Sequence, residues 1–174
     1  MKSVLLLIFF FVGCASIGNQ EEDITFSDCI VIQTNDSVKT AFDETRRLFL
    51  NEGYDIDHEF TSAPSHLITT KITPRAYGAS LAGTLAVKFT ASIDKSATGA
   101  VINLTGQYVS DGGEYLQTGD SANTERAEKL FFASAQEIRM AGELGSAMRG
   151  SWNLMNALAT KYGGTTVRYQ RSIR

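Results

Sequence analysis

The chain has few cysteines and prolines, no excess of positive charge and no long hydrophobic run, and each shortage excludes a class of protein. Two cysteines among 174 residues allow at most one disulfide bond. Two prolines and no low-complexity block argue against a disordered protein. A net charge of −3 without a basic stripe argues against nucleic acid as a partner. The longest apolar run, at residues 4–12, is shorter than the roughly 20 residues that a membrane-spanning helix needs.

The beginning of the chain has the layout of a secretory signal. Lys2 gives a positive start, residues 4–12 form the apolar run, and a small residue precedes Cys14. The four residues from Phe11 to Cys14 resemble the lipobox of bacterial lipoproteins. In that family cleavage falls before the cysteine, whose thiol and new amine are then acylated, so several acyl chains hold the protein in the membrane. The resemblance implies a signal peptide at residues 1–13 and lipidation of Cys14.

The location of the mature chain follows from the same resemblance. Ala15 stands after the cysteine in place of the Asp of a sorting rule, which is compatible with the outer membrane. Residues 14–23 are small, polar and then acidic, and they predict a lipidated, flexible tether. The acidic cluster also loosely resembles the surface-export signal of some bacterial lipoproteins. We therefore expect a lipid anchor in the bacterial cell envelope, with the outer membrane favoured and the leaflet left open.

The second cysteine has two alternative roles. If Cys14 is acylated, Cys29 has no partner and is most simply a small buried apolar residue. Under ordinary secretion without lipidation, the two cysteines could instead form a disulfide. Nothing in the sequence beside Cys29 indicates a lowered pKa or a nucleophile.

Residues 24–164 are predicted to form one domain that begins with a strand and a helix. Alternating apolar residues indicate a first strand at residues 24–33. Apolar residues at steps of three and four then predict a helix over residues 36–52. Asn35 or Asp36 can cap its start, and Gly53 can take the left-handed conformation that ends it.

A first hairpin is predicted around a three-residue loop at residues 63–65. This register places the apolar Phe60 opposite Ile68 and sets Asp57 opposite Lys71 on the other face. A shift by one residue would place Phe60 against Leu67 and break up the apolar match, so the pattern favours the first register.

A second hairpin follows, with its turn at residues 96–99. Its inward residues alternate from Leu85 to Ile93, and in this register Gly106 faces Phe89, where a missing side chain leaves room for the ring. Its outward residues are polar, which predicts a solvated face: Lys88, Thr90 and Ser92 opposite Gln107, Thr105 and Asn103.

A long helical seam occupies residues 127–162. Small residues in its middle predict either one helix bent between Gly142 and Gly150 or two helices that meet there, because glycine inside a helix costs about 1 kcal/mol. The basic tail at residues 165–174 is predicted to be a loose strand or disordered.

The predicted fold class is therefore α+β in the order β-α-β4-α. An antiparallel sheet of about five strands has one face covered by two helices. This order resembles the helix-grip and TATA-binding-protein-like arrangement of lipoproteins of the outer-membrane barrel-assembly machine. It resembles the lipopolysaccharide-assembly lipoprotein less closely. The resemblance covers element order over residues 24–162 and no residue motif, so it transfers no functional residue.

Polar groups that suggest a site also fit structural roles. In the proposed register His58 and His66 lie on the core side of the first hairpin, about 13 Å apart at roughly 3.3 Å per residue, which is too far to share a metal. Asp55, Asp57 and Glu59 alternate along one strand face, which favours a solvated surface over a calcium site. The loop at residues 110–123 holds further acidic residues without the spacing of an EF-hand.

The function predicted from these features is binding or assembly without catalysis. We find no phosphate loop, nucleophile elbow or zinc motif, so we predict no catalytic, cofactor-binding or metal residue. An envelope protein partner is expected, with Arg75 and Tyr77 in a candidate interaction loop. The alternative is a small lipid-like ligand held between the sheet and the helices. Four residues would line its cavity, and core packing would also explain their apolar character: Phe89, Tyr108, Met148 and Trp152.

Overall fold

A computed structural model of the chain describes residues 27–62, 65–76, 84–110, 121–140, 146–162 and 166–171. Over these residues the fold is α+β, as predicted, with one antiparallel sheet of eight strands and three helices. None of these helices is both long and apolar enough to cross a bilayer. The elements are β1 (Cys29–Thr34), α1 (Val38–Asn51), β2 (Ile56–Ser62), β3 (Ser65–Thr70), β4 (Thr73–Ala76), β5 (Thr84–Lys95), β6 (Ala100–Ser110), α2 (Ser121–Ser134), β7 (Gln136–Glu137), α3 (Ser146–Lys161) and β8 (Thr166–Gln170).

The sheet is built around one long hairpin, β5–β6. The strand order is β2-β3-β5-β6-β1-β8, so β2 and β8 are the two edges. β5 and β6 have 12 and 11 residues, whereas β3 beside β5 and β1 beside β6 have six residues each. Two short strands therefore pair with the remaining length, β4 along β5 and β7 along β6.

The predicted order β-α-β4-α has about five strands, whereas the sheet has eight. Three short segments add to the sheet: β4 comes from a predicted loop, β7 from the predicted long helix, and β8 from the basic tail. β8 pairs antiparallel with β1 along its length, which confirms the strand alternative for that tail. Such two- to five-residue strands form because a neighbour offers unpaired backbone groups, and their own sequence pattern is too short to show it.

One face of the sheet, the inner face, packs against α1 and α3. Inward residues of β5 and β6 meet apolar residues of both helices in one cluster. Burial of each large side chain contributes roughly 1.5–3 kcal/mol, so this layer holds most of the core. Its largest fully buried apolar members include Phe49, Phe89, Ile30, Ile68, Leu85, Ile93, Ile102, Ile138 and Met155.

α2 lies on the opposite, outer face, so the prediction that the helices cover one face only is wrong. Ala127 and Phe131 of α2 pack with Ile72, Ala86 and Val109 in a second apolar cluster. Ala86 and Val109 face each other across β5 and β6 on the side opposite the main core. Since both are small apolar residues at outward positions, this end of the outer face needs a cover, and α2 supplies it.

The predicted helix over residues 127–162 is interrupted earlier than expected. α2 ends at Ser134, and the chain then enters β7 instead of continuing to the glycines near Gly142. Ile138 is fully buried, and its backbone N–H donates to the carbonyl oxygen of Gly106 at 3.1 Å. The helical spacing of Ile138 was therefore a coincidence of pattern, since a contact with β6 fixes this residue outside any helix.

α1 begins and ends close to the predicted points. Its N-cap is Ser37, whose hydroxyl oxygen accepts from the backbone N–H of Thr40 at 3.1 Å, so the prediction of Asn35 or Asp36 as the cap is wrong. Gly53 follows the helix at a φ of 74°, and its predicted left-handed conformation is confirmed.

The first hairpin adopts the register that the pattern disfavoured. Phe60 pairs with Leu67, and Glu59 pairs with Ile68, so the loop has two residues and the predicted pairing of Phe60 with Ile68 is wrong. The cause is β3, which pairs with β5 so that Ile68 faces Ala91 on the inner side. The β2–β3 register then places Phe60 and Leu67 together on the outer face.

Candidate functional site

Beyond α2, the outer face of the sheet is polar and partly exposed. The predicted register of the second hairpin is confirmed, including Phe89 opposite Gly106. Hydroxyl, amide and ammonium groups consequently stand side by side on β5 and β6. We call this surface the open face, and its residues are Lys88, Thr90, Ser92, Asn103, Thr105 and Gln107.

A pocket of about 300 Å³ lies on the open face. Its volume is at the lower end of the range for small-molecule sites, and its walls mix hydroxyl, amide, carboxylate and ammonium groups. The lining residues are Asp28, Lys88, Thr90, Thr105, Gly106, Gln107 and Glu137.

The pocket forms where β6 changes its partner. β1 pairs with β6 as far as Thr105, and β7 pairs with it from Gln107 onward. Gly106 stands between them, and a Cβ at Gly106 would lie 2.6 Å from Cδ1 of Ile138. The glycine therefore lets the chain after β7 approach the sheet closely, and the gap between β1 and β7 remains as the pocket.

Charges around the pocket are arranged in pairs. The Lys88 ammonium lies 3.1 Å from a carboxylate oxygen of Asp57, and Nη2 of Arg139 lies 2.7 Å from Glu137. Asp28 is only 5% exposed. The pocket lining itself carries two carboxylates and one ammonium, so it suits polar or cationic groups better than anions.

Cys29 lies beside Asp28 and is buried, as the first of its two predicted roles requires. It is a free thiol. Burial raises the pKa of the thiol to about 11, the negative charge of Asp28 adds to the rise, and a hydrogen bond with Gln170 opposes it. The thiol is therefore protonated at neutral pH and is a poor nucleophile.

An exposed apolar pair lies at the β2 end of the outer face. Phe60 is 60% exposed and its partner Leu67 is 37% exposed. This pair was not predicted from the sequence, because the predicted register turned Phe60 toward the core. The observed pairing of Phe60 with Leu67 is the one-residue shift that the sequence pattern disfavoured.

The four residues of the predicted ligand cavity belong to the core layer. Phe89, Tyr108 and Trp152 are buried, and Met148 packs against them partly buried. The Phe89 ring meets the Tyr54 ring edge-on at 5.1 Å, and the Tyr108 hydroxyl lies 3.1 Å from the side-chain oxygen of Gln136. Core packing accounts for this placement, and the lipid-like ligand stays a prediction.

Arg75 of the predicted interaction loop is engaged inside the fold. Its guanidinium donates to the carbonyl oxygens of Glu52 and Gly53 at 2.6 and 2.8 Å. It also lies 4.4 Å above the Tyr54 ring, whose pKa is raised by burial and lowered in part by this arginine. Arg75 thus holds the C-terminal end of α1, where a cation is favourable. Tyr77 lies outside the described residues.

A β-bulge between Ile56 and His58 shifts the register of β2 on β3. His58 is exposed on the outer side, so its predicted core-side position is wrong, whereas His66 is partly buried with its ring 5.6 Å from that of Phe42. The bulge also splits the predicted acidic row. Asp57 contacts Lys88 instead of the predicted Lys71, and Glu59 pairs with Arg46 of α1. Among the described residues, no group of three metal-ligating side chains comes together.

Other candidates fall outside the part of the chain that the structure describes. They are the lipidation site Cys14, the tether, most of the acidic loop at residues 110–123 and Arg174 at the end of the basic tail. Comparison with known proteins adds no assignment, because no family model and no curated protein matches this sequence.

Proposed function

We propose that this chain is a lipid-anchored cell-envelope protein whose domain is a non-enzymatic binding or assembly module. The observation that carries the binding role is the open face with its central pocket. The inner face is covered by two helices and one end of the outer face by a third, whereas the open face presents side chains to solvent. The lipobox resemblance at Cys14 supports the anchor.

The chemistry of the open face supports binding better than catalysis. Thr90, Thr105 and Gln107 can donate and accept hydrogen bonds, while Lys88 and Glu137 are already held in ion pairs. General acid–base or nucleophilic catalysis needs an activated group. The nearest thiol, that of Cys29, has a raised pKa. The lipid-like ligand has less support, because the residues that would line its cavity pack together in the core.

The anchor is tested by replacing each cysteine in turn. Cells that express the wild-type chain, Cys14→Ser or Cys29→Ala are labelled with a palmitate analogue and fractionated. We expect Cys14→Ser to lose the label and to leave the membrane pellet, whereas Cys29→Ala keeps both properties. Label and membrane association that persist in Cys14→Ser would contradict the anchor.

The binding role is tested by placing a photo-reactive amino acid at Thr90 on the open face. The matched control carries the same group at Thr40, an exposed residue of α1. After irradiation of intact cells, we expect a discrete adduct from position 90 and none from position 40. The adduct should disappear in a chain that also carries Thr105→Arg, which fills the pocket. Equal labelling from both positions would contradict a binding role for this face.

A further inference from the structure

We infer that β2 pairs with β2 of a second copy of this chain, antiparallel and centred on Phe60, so that two sheets join at their edges. This inference goes beyond the proposed function, because the pairing needs neither a bilayer nor another kind of partner.

β2 is an open edge of the sheet. Its residues from Asp57 to Ser62 are all exposed, and among the described strands β3 is its one neighbour. An exposed edge presents a row of backbone N–H and C=O groups that pair readily with another strand. The backbone groups of this edge can therefore pair with an extended strand.

The register of the first hairpin shows which backbone groups are available. Two residues separate Ser62 from its partner Ser65, and the residues that flank such a turn form a hydrogen-bonded pair. Hydrogen-bonded and non-hydrogen-bonded pairs alternate along an antiparallel ladder. Phe60 consequently directs its backbone groups toward β3, whereas Glu59 and Thr61 direct theirs toward the open edge.

These groups are complementary to those of a second β2. With Phe60 opposite Phe60 of the second copy, Glu59 of each copy lies opposite Thr61 of the other. Both of these pairs are then hydrogen-bonded, which gives four backbone hydrogen bonds about the two-fold axis. Phe60 forms the non-hydrogen-bonded pair at the centre, where cross-strand side chains are closest.

The side chains favour this register over the one centred on Glu59. Pairing centred on Phe60 brings two exposed phenyl rings together beside the exposed Leu67 of each copy. A shift that centres the pairing on Glu59 would instead set two carboxylates directly opposite each other, which is destabilising. The β-bulge between Ile56 and His58 interrupts the edge, so the pairing is confined to the stretch from His58 to Ser62.

An interface of this size is weak. Five residues on each side bury less than the roughly 1,600 Å² of a stable protein–protein interface, so we expect a concentration-dependent dimer. Tethering of both copies to one surface would raise their effective concentration and favour the pairing.

A single-cysteine experiment tests the register. The full chain carrying Cys14→Ser and Cys29→Ala receives Phe60→Cys, and mild oxidant is added. Directly opposed residues of a non-hydrogen-bonded pair have Cα atoms about 4.5 Å apart, within the range for a disulfide. The controls are Phe132→Cys, at an 82% exposed position of α2, and Glu59→Cys, one residue out of register.

We expect at least about tenfold more disulfide-linked dimer from Phe60→Cys than from either control. Equal yields from Phe60→Cys and Phe132→Cys, or a higher yield from Glu59→Cys, would overturn the inference. In cells, a disulfide from Phe60→Cys to a different protein in place of a second copy would also overturn it.

A second measurement uses the chain without a new cysteine. Thr61→Pro removes one outward N–H and leaves the hydrogen bonds to β3 in place, and Thr61→Ala is its control. By sedimentation velocity, we expect Thr61→Pro to weaken dimerisation at least about tenfold while Thr61→Ala does not. An unchanged dimer in Thr61→Pro, with circular dichroism like that of the wild type, would contradict the pairing.

Discussion

The two hairpins of the sheet differ in what lies beside them. β5–β6 has a strand on each side, and its eleven residue pairs run without a bulge from Leu85–Ser110 to Lys95–Ala100. β2–β3 has a strand on one side only, contains a bulge and exposes almost all of β2. A hairpin with a neighbouring strand on each side is therefore held in one continuous register. A hairpin at the edge of the sheet keeps backbone groups and apolar side chains available to a partner.

The largest expected effect compares one phenylalanine from each hairpin. Phe89 is fully buried and Phe60 is 60% exposed. Phe89→Ala should lower the free energy of unfolding by about 3–5 kcal/mol, because a large buried ring leaves a cavity. Phe60→Ala should change it by no more than about 0.5 kcal/mol. Urea unfolding of the two variants measures both values, and similar losses would contradict the contrast between the hairpins.

The next largest effect is a loss of stability at alkaline pH that depends on Cys29, which lies in β1 next to β6 of the central hairpin. Burial in the folded chain raises the pKa of this thiol from its ordinary value of 9.0 to about 11. The contribution of this thiol to the free energy of unfolding is therefore fully present below pH 9. It falls by about 2 kcal/mol as the pH rises toward 11. Urea unfolding at pH 8 to 11 of chains that carry Cys14→Ser measures this loss.

The control for that loss is the same series with Cys29→Ala added. The buried Tyr54 and Tyr108 and the partly buried Tyr162 also have raised pKa values, so both chains should lose stability above pH 10. The chain with Cys29 should show the additional loss from pH 9. Identical pH profiles would mean that the thiol is not buried in the folded state.

A smaller effect is expected where the central hairpin meets the chain after β7. A Cβ at Gly106 would lie 2.6 Å from Cδ1 of Ile138 and 3.0 Å from the Phe89 ring. Gly106→Ala should therefore destabilise the protein by about 1–2 kcal/mol through overpacking. Ile138→Val removes the clashing Cδ1, so the double variant should lose less than the sum of the two single losses. Additive losses would contradict this contact.

The central hairpin could be predicted from sequence because its pattern is long and consistent. Alternation from Leu85 to Ile93 fixes the faces, and Gly106 opposite Phe89 fixes the register. The open face followed from the same pattern. The β2–β3 register could not be predicted, because the pairing of β3 with β5 decides it, and a match of Phe60 with Ile68 ignores that long-range pairing.

The pocket could be predicted only in part, for the same physical reason. Lys88, Thr90, Thr105 and Gln107 were correctly placed on the polar face of the second hairpin. Glu137 reaches the pocket because α2 ends at Ser134 and β7 pairs with β6, a contact between segments distant in sequence. Helical spacing through Ile138 indicated a continuous helix, and the contact with Gly106 overrides that local preference.

The claim that β2 keeps a free backbone edge is tested most directly by amide hydrogen exchange of the full chain carrying Cys14→Ser. In a dilute sample, the amides of Glu59 and Thr61 should exchange at least about a hundredfold faster than those of Phe60 and Leu104, and raising the protein concentration should slow them. Protection of Glu59 and Thr61 equal to that of Phe60 at every concentration would contradict the claim, because the edge would then be covered within a single chain.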